Sequence, residues 1–118
     1  MGFFSKYFGP KKQLSKSDDE WIAVYFNFSD SDYGTQAERD SIHRFTDILS
    51  AAIQQSGEGV FDGDEFGNGG CGLFMYGPSA DRLFCVIEPL LSGWEPLKGG
   101  YAIKRYGAPV EQRERIEF

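Results

Sequence analysis

Cysteine, histidine and basic charge are all scarce in this 118-residue chain, and each scarcity removes a class of function. Cys71 and Cys85 are the only cysteines, too few for a disulfide framework, and no CxxC or Cys/His cluster offers a metal site. Both thiols have apolar neighbours, so we expect them to be buried and reduced, in a cytoplasmic protein. His43 is the only histidine. On a helix it has Asp40 at i−3 and Asp47 at i+4, a surface arrangement, and no motif ties it to a nucleophile. No window approaches the roughly 18 apolar residues of a membrane span. The start carries neither the hydrophobic stretch nor the small-residue cleavage site of a signal peptide. Twelve lysines and arginines face 18 acids, for a net charge of −6. The charge is uneven: residues 1–16 carry +4, residues 17–106 carry −9 and residues 107–118 carry −1. An acidic body argues against nonspecific nucleic-acid binding, which depends on Lys and Arg neutralising phosphates.

Glycine and aromatic residues are plentiful instead. Eight of the 15 glycines fall between Gly57 and Gly77, in the run GEGVFDGDEFGNGGCGLFMYG. Gly67-Asn68-Gly69-Gly70-Cys71-Gly72 satisfies G-x-G-x-x-G literally. That fingerprint needs a helix opening at its end to meet a pyrophosphate, whereas the strand-like Leu73-Phe74-Met75-Tyr76 follows here. A tight hairpin between two short strands explains the same glycines. Asp62, Asp64 and Glu65 could in principle bind a cation, but no EF-hand spacing follows them, and a charged strand edge is the simpler reading. We therefore expect no metal and no cofactor.

Apolar periodicity divides the chain at about residue 17. Residues 1–17 form an aromatic and basic arm in which Phe3, Phe4, Tyr7 and Phe8 fall on one face of a short helical turn. Gly9-Pro10 ends the turn, and Lys11, Lys12 and Lys16 follow. Residues 3–12 thus have the look of a membrane-surface contact, but so short a segment buries too little area to hold a bilayer by itself. Residues 18–118 read as a single α+β domain. Trp21–Phe28 reads as a strand. Thr35 and Glu38 make a capping box for a helix to Ser56, with Ile42, Phe45, Leu49, Ala52 and Ile53 as its stripe. Val60–Phe66 and Cys71–Tyr76 are two further strands. Ser79 caps a helix from Ala80 to about Leu91, with Leu83, Phe84, Ile87, Leu90 and Leu91 inward and Pro89 expected to shorten or bend it. Tyr101–Tyr106 is a fourth strand, and Ile116 and Phe118 mark a short edge strand near the end. The β-α-β-β-α-β order predicts a ferredoxin-like two-layer sandwich, an antiparallel sheet with both helices on one face.

Such a sheet leaves its second face without a helix. With Ile22, Val24, Phe26, Cys71, Leu73, Met75 and Ile103 inward, alternation points Trp21, Tyr25, Phe74, Tyr76, Lys104 and Tyr106 outward. Contiguous aromatic surface of this kind implies a partner, a ligand or self-association. The segment Lys98–Tyr106 is similar in part to the aromatic strand of RNA-recognition motifs. It puts Lys104 and Arg105 at apolar positions of that pattern, so we expect no nucleic-acid partner.

The run LFMYGPSADRLFCVIEPLL followed by GGYAIKRYG resembles small bacterial proteins with a ferredoxin-like layout, over most of residues 20–106. The resemblance implies the fold and brings no activity with it. The CxxC of heavy-metal-binding domains and the glycine-rich loop with catalytic arginine of acylphosphatases are both missing. The expectation is a non-enzymatic interaction or regulatory module, acting through its aromatic sheet face on a protein partner or a second copy of itself. The alternative is a small-molecule-binding or small enzymatic domain with a pocket on that face, using Tyr25, Tyr76 and Lys104.

Overall fold

The computed structural model describes residues 19–29, 32–107 and 112–118. The arm at residues 1–17, with its expected aromatic turn, lies outside the described residues. In chain order the elements are β1 (Glu20–Asn27), α1 (Gln36–Ser56), β2 (Val60–Gly67), β3 (Gly70–Gly77), α2 (Ala80–Ser92), a 3-10 turn (Glu95–Leu97), β4 (Tyr101–Tyr106) and β5 (Gln112–Glu117). The five strands form one sheet in the order β2-β3-β1-β4-β5, with every neighbouring pair antiparallel. The result is an α+β arrangement of two layers, with β1 at the centre of the sheet. None of the described helices is long and apolar enough to cross a membrane.

Local chemistry sets the element ends. The Thr35 hydroxyl accepts from Glu38 N at 3.1 Å, and the Glu38 carboxylate accepts from Thr35 N at 2.9 Å, closing the expected capping box. Glu38 also accepts from Ser29 N at 3.1 Å, tying the start of α1 to the end of β1. At the other end Gly57 takes the left-handed conformation of a helix stop, with φ 74°. In α2 the Ser79 hydroxyl caps Arg82 N, and the helix runs on past the exposed Pro89 to Ser92.

The glycine-rich run is a hairpin. Gly67 pairs with Gly70, and the two residues between them, Asn68 and Gly69, both have positive φ (49° and 83°). Two such residues make the mirror-image turn whose twist suits a two-residue hairpin, which is why Asn-Gly is favoured there. The turn is also pinned from outside: Gly69 O accepts from Phe28 N and Gly69 N donates to Asp32 O, each at 2.8 Å.

Between sheet and helices lies the main core. Ile22, Val24 and Phe26 of β1, Cys71, Leu73 and Met75 of β3 and Ala102 of β4 meet Ile42, Phe45, Leu49 and Ile53 of α1 and Leu83, Phe84, Ile87 and Leu91 of α2. Trp94, just before the 3-10 turn, closes one end by stacking on Phe45 at a centroid distance of 4.0 Å and meeting Phe26 edge-on at 5.2 Å. Both sheet edges are ill suited to further pairing. β2 carries a bulge between Phe61 and Gly63, and β5 is the charged sequence QRERIE.

The register of β4 corrects one expectation. Ala102, not Ile103, belongs to the helix-side core, and Ile103 packs on the opposite face. Lys104 and Tyr106 therefore turn toward α2 rather than away from the helices. Each phase of YAIKRY contains one tyrosine, one aliphatic residue and one cation, so alternation alone could not choose between them.

Candidate functional site: the sheet face away from the helices

Strand pairing lays this face out residue by residue. Trp21 lies between Tyr76 of β3 and Arg105 of β4, Ala23 between Phe74 and Ile103, and Tyr25 between Gly72 and Tyr101. At the flanks, Glu65 of β2 pairs with Gly72, and Arg113, Arg115 and Glu117 of β5 pair with Arg105, Ile103 and Tyr101. Four of the six residues expected on this face, Trp21, Tyr25, Phe74 and Tyr76, are brought together there. Lys104 and Tyr106 are on the other side, so the expected pocket of Tyr25, Tyr76 and Lys104 does not assemble. Their places are taken by Tyr101, Ile103 and Arg105, which a shift of one residue in the assumed phase of β4 would have found.

The centre of the face is a second hydrophobic cluster of Ala23, Tyr25 and Phe74, with Trp21, Tyr101 and Ile103 packed against it. Tyr25 meets Phe74 edge-on at 6.1 Å and Tyr101 at 5.3 Å between centroids. The Arg105 guanidinium lies over the Trp21 ring at 5.0 Å, and that of Arg115 over Tyr101 at 3.7 Å. Ala23 has no exposed surface, Phe74 keeps 2% and Tyr25 keeps 6%, whereas Trp21, Tyr76, Tyr101 and Ile103 remain half-buried. Burial, with the nearby Tyr101 adding to it, pushes the Tyr25 hydroxyl up to about 12.

Charge is segregated across the rings. Glu65 stands on the β2 side, with Oε1 buried and without a hydrogen-bond partner among the described residues. Arg105, Arg113 and Arg115 occupy the β4–β5 side, with Arg115 Nε hydrogen-bonded to Glu117. Arg105 and Arg113 are directly opposite one another across β4 and β5.

The displaced residues form a polar cluster on the helix side. Lys104, 8% exposed, donates to Asp81 of α2 at 2.9 Å and lies 3.3 Å from Glu114 of β5, with its ammonium 4.8 Å from the Phe84 ring centroid. The Tyr106 hydroxyl is 2.6 Å from Asp81 Oδ1 and 3.0 Å from Glu114 Oε1. Burial works against the Lys104 charge, but the hydrogen bonds to Asp81 and Glu114 outweigh it and hold the ammonium above the usual lysine range. Hydrogen bonds from Tyr106 and Lys104 hold the Asp81 carboxyl below its ordinary value. Burial and the two carboxylates push the Tyr106 hydroxyl up to about 12. An ammonium so firmly protonated is a poor nucleophile or base, so the cluster serves as a brace between α2, β4 and β5.

No catalytic constellation forms elsewhere among the described residues. Cys71 is buried, and burial pushes its thiol well above the ordinary range, out of the reactive thiolate state. Cys85, expected to be buried as well, is exposed on the outer side of α2. His43 is exposed on α1, its ring edge-on to Phe66 at 5.9 Å. Asp62 stands at the bulge of β2, Asp64 takes the helix side opposite Leu73, and Glu65 faces away, so the acidic triplet is dispersed. Burial raises the Asp64 carboxyl, with the His43 charge opposing. Among the described residues no group of three potential ligands could hold a metal ion. A groove of about 430 Å³ opens on the helix side, where the end of β1 (Phe26, Phe28) meets the first turns of α1 (Glu38, Ile42) and Pro96. It holds none of the expected site residues. No family model, no curated protein and no solved structure matches the chain.

Proposed function

We propose that this chain is a non-enzymatic interaction module whose working surface is the arginine-flanked aromatic face of its sheet. The observation that carries this reading is the union of two features on one face: a cluster of packed rings, and three arginines on adjoining strands. Aromatic residues and arginine are the side chains most enriched in protein interfaces and their hot spots. The three arginines favour a partner that brings carboxylates to the β4–β5 side of the rings. A protein segment with acids beside an apolar centre is the occupant we infer.

The fold supports such a role by analogy. β3 lies between β1 and β2, and β1 lies between β3 and β4, as expected when two βαβ units interlock. We read this as a ferredoxin-like sandwich with β5 appended at the edge. Two free cysteines, one of them exposed, suit a reducing cytoplasmic setting.

A random-peptide display library panned against the immobilised protein tests the reading. The expected consensus combines aromatic or aliphatic residues with Asp or Glu, and is lost on a Tyr76→Glu/Arg115→Glu surface. It should survive Glu88→Lys on the exposed side of α2. No enrichment, or a consensus indifferent to the double variant, would count against the module. Sedimentation of the same proteins reads whether a second copy is the partner instead.

A further inference from the structure

The groove on the helix side arises because β1 outruns its neighbour. The β1–β4 ladder ends at Tyr25 opposite Tyr101, while β1 continues to Asn27. The chain entering β4 turns through Glu95–Leu97 instead of extending that ladder, and about 430 Å³ stays open beside Phe26. Phe26, Phe28, Ile42 and Pro96 give the groove apolar walls, and Glu38 and Glu95 bring carboxylates to it from two separate elements. No Lys, Arg or His is among the described residues that line it. Glu38 is a fixed anion. The N–H groups of Thr35 and Ser29 donate to its two oxygens at 2.9 and 3.1 Å, and these bonds, that of Thr35 foremost, hold the carboxyl below its ordinary value. Each oxygen keeps a lone pair for a further donor. Glu95 is held more loosely. Its 3.5 Å pair with Lys98 joins side chains that are 80% and 75% exposed, so a competing cation can replace the lysine.

We propose that this groove binds a small organic cation, an ammonium or guanidinium carried on an apolar body. The body lies against Phe26, Phe28 and Ile42, and the charge meets Glu38 and Glu95. Three considerations select this ligand. The volume falls within the roughly 300–1,000 Å³ of small-molecule pockets, and the walls converge from β1, α1 and the 3-10 turn around a hollow. The charge of the lining is of one sign, so a cation is attracted and a carboxylate is repelled. The start of α1, which would otherwise favour an anion, already has one in the Glu38 carboxylate of its capping box. The aromatic rings favour the same ligand, since a cation beside Phe26 or Phe28 is drawn to the ring face. This site is on the helix side of the sheet, so it stands whether or not the partner proposed for the opposite face exists.

Amide nuclear magnetic resonance titrations of the full chain test it with matched probes. Phenethylammonium and isoamylammonium are the cations, and hydrocinnamate and isocaproate carry the same apolar bodies on a carboxylate. Both ammonium ions should saturate with dissociation constants of about 1 mM or below, shifting the amides of Phe28, Glu38 and Ile42. The two carboxylates should bind about tenfold more weakly. Glu38→Gln keeps the capping box, which accepts Glu or Gln at that position, and should weaken both ammonium ions about fivefold. Glu95 is exposed in the 3-10 turn, so Glu95→Lys gives a second reading without disturbing the fold. It should lower ammonium affinity about fivefold and raise that of the carboxylates. Groove amides left unshifted by both ammonium ions at about 10 mM would overturn the proposal. Carboxylates bound as tightly as the ammonium ions by the parent, or a preference unchanged by Glu95→Lys, would overturn it too.

Discussion

Replacing Lys104 with methionine keeps a stem of similar length against Phe84 and removes only the ammonium. The substitution therefore isolates the charge in the brace between α2, β4 and β5. Lys104 is 8% exposed, and its contacts with Asp81 at 2.9 Å and Glu114 at 3.3 Å are charge-assisted. A hydrogen bond to a charged group contributes about 1.5–3 kcal/mol when it is well shielded. The partner carboxylates are 65% and 54% exposed, which brings the value toward that of a surface pair, about 0–1 kcal/mol. We expect Lys104→Met to cost about 1–2 kcal/mol at neutral pH. Asp81, its value lowered in the folded state, contributes stability that is present above its unfolded value and lost as pH falls through the folded one. Lys104, its value raised, contributes stability that is complete below the unfolded lysine value and lost only in strong alkali. The gap between parent and variant should be flat across neutral pH and shrink below about pH 4. Urea unfolding followed by tryptophan fluorescence reads it, because Trp94 is stacked on Phe45 in the main core. A variant as stable as the parent would refute the reasoning, showing that the cost of dehydrating the ammonium cancels its contacts. A gap unchanged from neutral to acid pH would refute the role given to Asp81.

Four further outcomes follow from single positions. Gly69→Ala forces a side chain to φ 83° with nothing within 4 Å of the new Cβ, so it should cost about 1–2 kcal/mol from the backbone alone. Gly77→Ala places a Cβ 2.2 Å from Glu58 O and should cost more, about 3 kcal/mol, in the same urea experiment. A thiol reagent should label Cys85 in the native protein and reach Cys71 only on unfolding; rapid labelling of both would contradict the burial of Cys71. Tyr25 and Tyr106 ionise at about 12 when folded, so both contribute stability that is complete below about pH 10 and lost as pH rises through their folded values. Phenolate absorbance should accordingly show late-titrating tyrosines that return to the ordinary range in urea, and a single ordinary transition in the folded protein would exclude this.

What could be read from the sequence was what local chemistry fixes. Thr35 with Glu38, Gly57 and Ser79 each act within a few residues, and each marks the boundary expected of it, while the glycine-rich run forms the expected hairpin, with Asn68-Gly69 at its turn. The helix stripes were legible too, since Ile42, Phe45, Leu49 and Ile53 repeat at the helical period and are buried. The aromatic face was legible only as far as its strands were unambiguous. β1 and β3 placed Trp21, Tyr25, Phe74 and Tyr76 correctly, whereas β4 is symmetric in residue type between its two phases. There the deciding contacts are Asp81 and Glu114, 23 and 10 residues from Lys104 in the chain. No pattern within one strand can report a partner on another element.

That misplaced phase has a structural consequence. β5 is an exposed strand whose described side chains are largely charged, so hydrophobic burial does little to hold it to the sheet. Its residues alternate between two tasks. Glu114 faces the helices and joins the Lys104–Tyr106 brace, and Ile116 packs against the main core. Arg113 and Arg115 face the other way, beside Arg105 and over the Tyr101 ring. Two of the three arginines that give the aromatic face its charge are therefore carried on a strand tied from the opposite side, through Lys104. Had Lys104 pointed outward, the face would have exchanged Arg105 for Lys104, and β5 would have lost its polar tie to α2. The arginines would then be held only by the β4–β5 ladder and the backbone bonds of Phe118 to Gly99 and Gly100. With the lysine turned inward, the brace and the arginine flank belong to one device, and weakening the first should loosen the second.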